Sequence, residues 1–179
     1  MSQFTNPASS TPAETAAYVG ALLQLIGDRD PVTVLRETPA ALQRFLKDVP
    51  ADIVTKPEAA GKWSIREVFQ HLADSDLVAG FRLRMVLAHD RPQLGGYDQD
   101  LWANRLAYQD VDIRDALEQF IVLRRANMRL WERLTEEDVA RVGMHAERGE
   151  ESLEHIRRLY AAHDLLHLTQ LERIRAALA

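Results

Sequence analysis

Apolar residues recur along most of the chain at the three- and four-residue spacing of amphipathic helices. The first such stretch runs from Pro12 to Ile26 and meets Gly27, a natural helix stop. Asp30 followed by Pro31 is typical of an N-cap and first turn, and therefore predicts a second helix. Because proline disfavours helix at the residue before it, we expect this second helix to be kinked or broken near Pro39.

Three further long helices are predicted downstream. Ser64 and Glu67 have the spacing of a capping box ahead of a helix over residues 65–89. Asp112 is a good N-cap for a helix that continues to about Leu134, and a last helix is predicted over residues 152–178. A short helical turn is expected after Leu134.

The connections between these helices differ in length and composition. Residues 48–62 predict a loop, residues 91–110 a long connection with a short helical patch at 101–107, and residues 142–149 an irregular segment. A connection as long as 91–110 is often functional in a compact domain. No stretch shows convincing two-residue alternation. The predicted fold is all-α, a four-helix bundle with an extra N-terminal helix and a long, partly helical connection.

The composition supports one soluble domain. A chain of 179 residues with 46% hydrophobic residues can bury a sizeable core, so residues 12–179 are expected to form a single helical bundle domain. Residues 1–11 are expected to be a disordered tail without the features of a signal peptide. No apolar run approaches the length of a membrane span. We therefore expect a cytoplasmic protein that does not bind membranes.

Charge and cysteine content narrow the chemistry. The net charge of -5 arises from 22 basic and 27 acidic residues scattered along the chain, so no basic stripe is available for a phosphate backbone and nucleic acid is not expected as a partner. The absence of cysteine excludes disulfides, iron–sulfur clusters and cysteine zinc sites. Any metal must therefore be held by imidazole and oxygen ligands.

Three histidines form the strongest candidate for chemistry. His163 and His167 stand four residues apart on the inward stripe of the last helix, and His71 lies on the second turn of another long helix. Residues four apart share one helix face, so two imidazoles can converge on one ion there. Burying two unsatisfied rings side by side is costly, and a metal satisfies both. A lone histidine would more often be a hydrogen-bonded core residue.

Two other metal-site patterns do not fit. The segment from His163 to His167 has Asp164 where zinc proteases carry a glutamate base, and too few residues follow it to supply their third ligand. A ferritin-like di-metal site requires Glu-x-x-His motifs, and the sequence contains none. A mononuclear three-histidine site is the better hypothesis.

Six other residues are weaker candidates. Asp74 could orient a metal-bound imidazole, or be an ordinary solvated residue. His145 could line the mouth of a cleft or only face solvent. The aromatic ring of Trp102 and the charge of Arg105 could form part of a substrate pocket, together with Tyr97 and Asn104, although aromatic residues in such connections more often close the core.

Three motifs together resemble the DinB/YfiT-like superfamily. They are Lys62-Trp63-Ser64-Ile65-Arg66-Glu67, then His71-Leu72-Ala73-Asp74-Ser75-Asp76, and finally His163-Asp164-Leu165-Leu166-His167-Leu168-Thr169-Gln170. The resemblance covers roughly residues 14–178, and its most specific part is a Trp-Ser-led helix with one histidine combined with a terminal His-x-x-x-His helix.

The resemblance implies a four-helix bundle, a homodimer and one divalent ion, zinc or nickel, held by His71, His163 and His167. Similar proteins include S-transferases that use a low-molecular-weight thiol, a thiol-dependent isomerase, and many described as metal-dependent hydrolases or damage-inducible proteins. The fold alone does not select among these activities.

The leading hypothesis is a metal-dependent enzyme that activates a thiol or water at this site for S-transfer or hydrolysis of a small molecule. Two alternatives belong to different classes. The metal could only staple the helices of a non-catalytic dimer, or the bundle could hold a small ligand in a stress or damage response without turnover. The sequence does not identify the catalytic acid or base.

Overall fold

Seven helices and a small three-stranded sheet make up the part of the chain that the computed structural model describes, residues 11–178. The helices are α1 (Pro12–Ile26), α2 (Pro31–Asp48), α3 (Ile65–Ala88), α4 (Gln99–Arg105), α5 (Ile113–Trp131), α6 (Glu136–Ala140) and α7 (Leu153–Leu178). The strands are β1 (Gln93–Leu94), β2 (Val142–His145) and β3 (Gly149–Ser152). Two short 3-10 turns, Ala51–Ile53 and Tyr108–Asp110, lie in the connections.

The helix starts follow the capping signals in the sequence. Ser64 accepts a hydrogen bond from the Glu67 backbone while the Glu67 side chain returns to the Ser64 backbone, so α3 begins with the predicted capping box. Asp30 and Asp112 cap α2 and α5 as predicted. Most of the predicted tail lies outside the described residues, and its last residue, Thr11, caps α1.

Helix α2 was predicted to be kinked or broken near Pro39, and the break is wrong, because the helix continues through Pro39. A proline inside a helix cannot donate to the carbonyl four residues earlier, which here belongs to Leu35. The side chain of Arg124 on α5 donates to that Leu35 oxygen at 2.8 Å. Leu35 and Leu42 are both fully buried on either side of the proline. Packing and a replacement donor therefore keep α2 continuous.

Four helices, α2, α3, α5 and α7, form the bundle, in which α3 packs against α5 and α7, and α2 packs against the same two helices. Helix α1 lies along α7 as the extra N-terminal helix. One apolar cluster surrounds Phe69 and Phe120, and a second surrounds Leu83 and Ile156. The predicted fold class is therefore confirmed, and none of the described helices is long and apolar enough to cross a membrane.

The sheet corrects the prediction that residues 142–149 are irregular. Strand β2 pairs in parallel with β1 and antiparallel with β3, which places Leu94 opposite His145 and His145 opposite Gly149. These strands have only two to four residues, too few for an alternating pattern to be recognised. The sheet joins the 91–110 connection to the start of α7 and brings His145 beside the bundle.

Candidate metal centre and adjoining pocket

The three predicted histidines meet between α3 and α7. The Nε2 atom of His163 lies 3.0 Å from the Nε2 atoms of both His71 and His167. One ligand nitrogen from each ring lies within 4.8 Å of the other two. The i, i+4 spacing on α7 and the packing of α3 against that face account for this convergence.

The cluster is largely buried and electrically neutral, and only His163 keeps intermediate exposure. His71 has no exposed surface and His167 is 7% exposed. Burial lowers the pKa of His71 and of His163 well below its usual value, and neighbouring imidazoles lower both further. Burial also lowers the pKa of His167 to about 4, against smaller raising effects of Gln170 and Asp164. At neutral pH the three rings therefore carry lone pairs rather than charge.

Hydrogen bonding orients one ring of the three. The Nδ1 atom of His167 lies 2.7 Å from Gln170 Oε1, and because an amide oxygen only accepts, the ring proton sits on Nδ1. This leaves the Nε2 lone pair of His167 facing the cluster. The Nδ1 atoms of His71 and His163 are buried without a partner among the described residues. The indole of Trp63 packs against His71, with ring centroids 4.7 Å apart.

The residues fit a single divalent ion. Nitrogens that each lie about 2.0–2.1 Å from one zinc ion are about 3.3 Å apart at the tetrahedral angle that zinc prefers. The separations of 3.0 Å around His163 are close to this size. Hydrogen bonds alone satisfy the cluster poorly, because a neutral imidazole has one N–H to share. Three converging imidazoles leave further coordination positions open.

Asp164, between the two α7 histidines, belongs to a separate ion cluster. Arg124 donates from Nη1 and Nη2 to Asp164, at 2.6 and 3.1 Å, and from Nε to Asp76 at 2.9 Å. All three side chains are buried. Together with the bond to the Leu35 carbonyl, Arg124 links α2, α3, α5 and α7. Asp164 therefore holds α7 in place instead of acting as the base found in zinc proteases.

Asn127 extends this ion cluster along α5. Its amide nitrogen donates to the backbone oxygen and to the carboxylate of Asp76, at 2.9 and 3.1 Å. The Asn127 amide lies so close to Gly80 that a Cβ atom there would come within 2.3 Å of its oxygen. Gly80 is thus required for the close approach of α3 and α5. The cluster fixes the register of the helix that carries His71.

Asp74 is buried but does not contact the histidines. Tyr108 donates its hydroxyl to Asp74 at 2.5 Å, and the amides of Gln70 and Gln119 each donate at 3.2 Å. Burial and the Asp74 carboxylate raise the pKa of Tyr108. Asp74 therefore links the 91–110 connection to α3 and α5. The predicted role of orienting an imidazole would need a hydrogen bond to a histidine, and among the described residues Asp74 makes none.

A pocket of about 90 Å³ adjoins His163 between α1, α3, α7 and the β-sheet. His145 lines this pocket, in agreement with one of its two predicted locations. The long connection contributes Gly96, Tyr97 and Gln99. Trp102 is not among the lining residues but packs against Tyr97, with centroids of the tilted rings 4.6 Å apart, and Arg105 is exposed and does not line the pocket.

Sequence reasoning did not identify Arg82 in the pocket or Arg124 in the ion cluster. Arg82 is 4% exposed and lines the pocket, and Arg124 is 3% exposed in the ion cluster. Each lies on a helix rich in charged residues, where an arginine is usually a solvated residue. A signal was available for Arg82, because Ala79 and Val86, three residues before it and four after it, lie on the same helix face and are buried.

Comparison with known proteins shows which family this chain resembles. The model of the DinB superfamily matches residues 35–171. A "putative metal-dependent hydrolase" of Oceanobacillus iheyensis is 27% identical over 143 residues, which cover 78% of this chain and 83% of the relative. The "putative metal-dependent hydrolase YfiT" of Bacillus subtilis is 27% identical over 146 residues, 79% of this chain and 82% of that protein.

A solved structure supports the fold. YfiT from Bacillus subtilis, described as "a probable metal-dependent hydrolase with an unusual four-helix bundle topology", superposes with a TM-score of 0.71 at 24% identity. The match covers 95% of this chain and 92% of that structure. At this identity the likeness shows a shared bundle topology.

Proposed function

This chain belongs to the DinB superfamily, and from that premise we propose that it is a metal-dependent enzyme acting on a small molecule. In this proposal His71, His163 and His167 hold one divalent ion, zinc or nickel. The reaction is S-transfer from a low-molecular-weight thiol, or hydrolysis by water. The single observation that carries the proposal is the convergence of three neutral imidazoles, in which Nε2 of His163 lies 3.0 Å from Nε2 of both His71 and His167.

The donor set suits activation of a nucleophile. Three neutral imidazoles leave a bound divalent ion its full positive charge, which lowers the pKa of a coordinated thiol or water towards neutrality. The chain's own contribution is to hold the rings in place. Gln170 fixes the proton of His167, while the contacts of Arg124 with Asp76 and Asp164 lock the helices that carry the ligands.

The pocket beside His163 supports an enzyme over a purely structural metal. A metal that only staples helices needs no access from a cavity, and structural zinc sites are usually closed. Here the lining of the pocket includes one ligand, His163, together with polar side chains such as Ser75 and Arg82. A small substrate in this pocket lies next to the three-histidine cluster.

Metal analysis tests the proposal most directly. Untagged wild-type protein is compared by mass spectrometry with a His71→Ala, His163→Ala double variant and with His89→Ala. His89 ends α3 outside the cluster and serves as a matched control. We expect near-stoichiometric divalent metal in the wild type and in His89→Ala, and none in the double variant. Absence of metal from the reconstituted wild type would overturn the proposal.

Thiol dependence separates the two reactions. The metal-loaded protein is given an electrophile, with and without a low-molecular-weight thiol, and both thioether and hydrolysis products are measured. A thioether formed only with thiol and only by metal-loaded protein supports S-transfer. Product formed equally without thiol supports hydrolysis. No turnover with saturable binding favours the non-catalytic ligand-binding alternative.

The homodimer and the cytoplasmic location predicted from the sequence remain predictions. Phe81 and Leu77, four residues apart on α3, are 59% and 48% exposed, and such apolar side chains suit a contact between copies. Sedimentation of the wild type and of a Leu77→Glu, Phe81→Glu variant tests this. A dimer is expected for the wild type and a monomer for the variant.

A further inference from the structure

Arg82 is a buried cation without a carboxylate partner. Its Nη1 atom donates to the Tyr160 hydroxyl at 3.0 Å and its Nη2 atom to the Gly95 carbonyl at 2.6 Å, while Nε has no partner. In the described part of the chain no acidic side chain pairs with it. Arg124, by contrast, has two carboxylates, and Arg148 has Glu151. Burying an uncompensated charge is costly, so Arg82 requires another explanation.

His145 presents a second unsatisfied donor in the same pocket. The backbone N–H of Glu147 donates to His145 Nδ1 at 3.2 Å. Burial, followed by the charges of Arg148 and Arg82, lowers the pKa of His145 to about 4, so the ring is neutral near pH 7. With Nδ1 accepting, the single ring proton lies on Nε2. That Nε2 atom is buried and has no partner among residues 11–178.

The remaining walls define what kind of molecule fits. Arg82, His145, Tyr97 and Tyr160, which we call the Arg82 pocket, share the cavity with the apolar side chains Val19, Leu22, Ile156 and Leu159. Arg148 also lines it, but Glu151 neutralises that arginine, and Glu147 is exposed. The pocket therefore combines one uncompensated positive charge with apolar and aromatic walls.

We propose that the Arg82 pocket binds the anionic group of the substrate, a carboxylate or an equivalent oxyanion, through Arg82 and His145. The inference rests on the proposed function, because it assigns a substrate class to the site that His163 adjoins. Only an anion supplies both an acceptor for these N–H groups and compensation for the buried charge. An apolar or aromatic body attached to that group contacts the other walls, and binding there places the rest of the molecule next to His163.

A matched pair of probes tests the charge requirement. Benzoate and benzamide have nearly the same shape but differ by one negative charge, and both are titrated into the purified protein. Hydrogen bonds to charged groups contribute about 1.5–3 kcal/mol, which corresponds to about 10- to 100-fold in affinity, so benzoate is expected to bind at least about tenfold more tightly. The Arg82 Nε–H and His145 Nε2–H resonances, observed by NMR, should shift with benzoate.

Variants assign the effect to Arg82. Arg82→Gln is expected to reduce benzoate affinity about tenfold or more and to leave benzamide unchanged, while Arg133→Gln removes an exposed arginine and should change neither. Metal content is measured for every sample. If benzoate binds to a metal ion instead of to Arg82, benzoate binding is lost when the metal is lost. If Arg82→Gln does not fold, Arg82→Lys retains the charge but removes the Nε–H, and an intermediate affinity is expected.

Three outcomes would overturn the proposal. These are equal affinity for benzoate and benzamide, unchanged benzoate binding in Arg82→Gln, and no binding of either benzoate or inorganic phosphate. Each is distinct from failure of the proposed function, which is absence of metal from the wild type. If the wild type takes up no metal on reconstitution but still binds the anion, the pocket assignment is retained and the proposed metalloenzyme is overturned.

Discussion

Two polar clusters lie side by side between α3 and α7, and they differ in whether their polar groups are paired within the chain. Arg124, Asp76 and Asp164 form an ion cluster in which charges and hydrogen bonds are matched within the chain. The histidine cluster of His71, His163 and His167 brings three neutral imidazoles together and leaves two ring nitrogens without a partner in the described structure.

The contrast shows which buried polar groups indicate a ligand. Burial alone does not, since His71 and His167 are buried as are all three residues of the ion cluster. A satisfied cluster is complete without any other molecule, and its effect is to fix helix positions. An unsatisfied cluster is costly until something binds to it. The histidine cluster and the residues of the Arg82 pocket are unsatisfied in this sense, and both border the same cavity.

The largest effect should follow from breaking the ion cluster. Arg124→Leu leaves two buried carboxylates unpaired, so we expect the free energy of unfolding to fall by about 3–5 kcal/mol. Urea denaturation measures this. Arg36→Leu removes an arginine from the exposed pair with Glu132 and should cost less than about 1 kcal/mol. Equal costs for the two variants would contradict the assignment of Arg124 to a buried, matched cluster.

The histidine cluster should respond to metal where the ion cluster does not. A ligand present at about 100 times its Kd stabilises the folded state by about 2.7 kcal/mol. We therefore expect zinc or nickel to raise the unfolding free energy of the wild type and of His89→Ala by about this amount. The His71→Ala, His163→Ala variant should show no such gain. An equal gain in that variant would place the metal elsewhere.

Asp164 lies between two proposed ligands but should behave as a structural residue. Asp164→Asn removes one charge opposite Arg124 while Asp76 remains, so a loss of about 1–3 kcal/mol in unfolding free energy is expected. Metal bound per folded molecule should be unchanged. Urea denaturation and metal analysis on the same preparation measure both quantities. Loss of metal from a folded Asp164→Asn protein would show that the two clusters are not independent.

The smallest effect is a pH dependence from His145 in the Arg82 pocket. Its folded-state pKa of about 4 lies below that of the unfolded chain, about 6.5, so the unfolded state binds more protons between these values. Stability should therefore be full above about pH 6.5 and fall as pH decreases towards 4. His145→Gln should remove about 1–2 kcal/mol of this loss between about pH 7 and 5. Parallel stability curves for the two proteins would contradict it.

Local signals predicted most of the fold. Capping residues such as Ser64, Asp30 and Asp112 act within one turn, so the sequence identifies the helix starts. The i, i+4 pair on α7 predicted the histidine cluster for the same reason. The third histidine of the cluster, His71, followed from adding a second helix with an inward histidine.

The features that the sequence did not predict depend on partners distant along the chain. The continuity of α2 through Pro39 requires Arg124, 89 residues after the carbonyl that it satisfies. Burial of Arg82 requires Gly95 and Tyr160, which lie on different elements. The sheet depends on pairing of β1 with a distant hairpin. The spacing of residues within one segment cannot predict contacts of this kind.

The direct junction of β3 and α7 constrains how the chain length can vary. Strand β3 ends at Ser152 and α7 begins at Leu153, whose backbone N–H is bonded to the Arg141 carbonyl at 2.9 Å. A residue inserted at this junction would rotate the rest of α7 by about 100° and turn both of its histidines away from α3. An insertion in the hairpin turn at 146–148 would leave them in place. Evolutionary gain or loss of residues should therefore be tolerated in the turn and be rare at the junction.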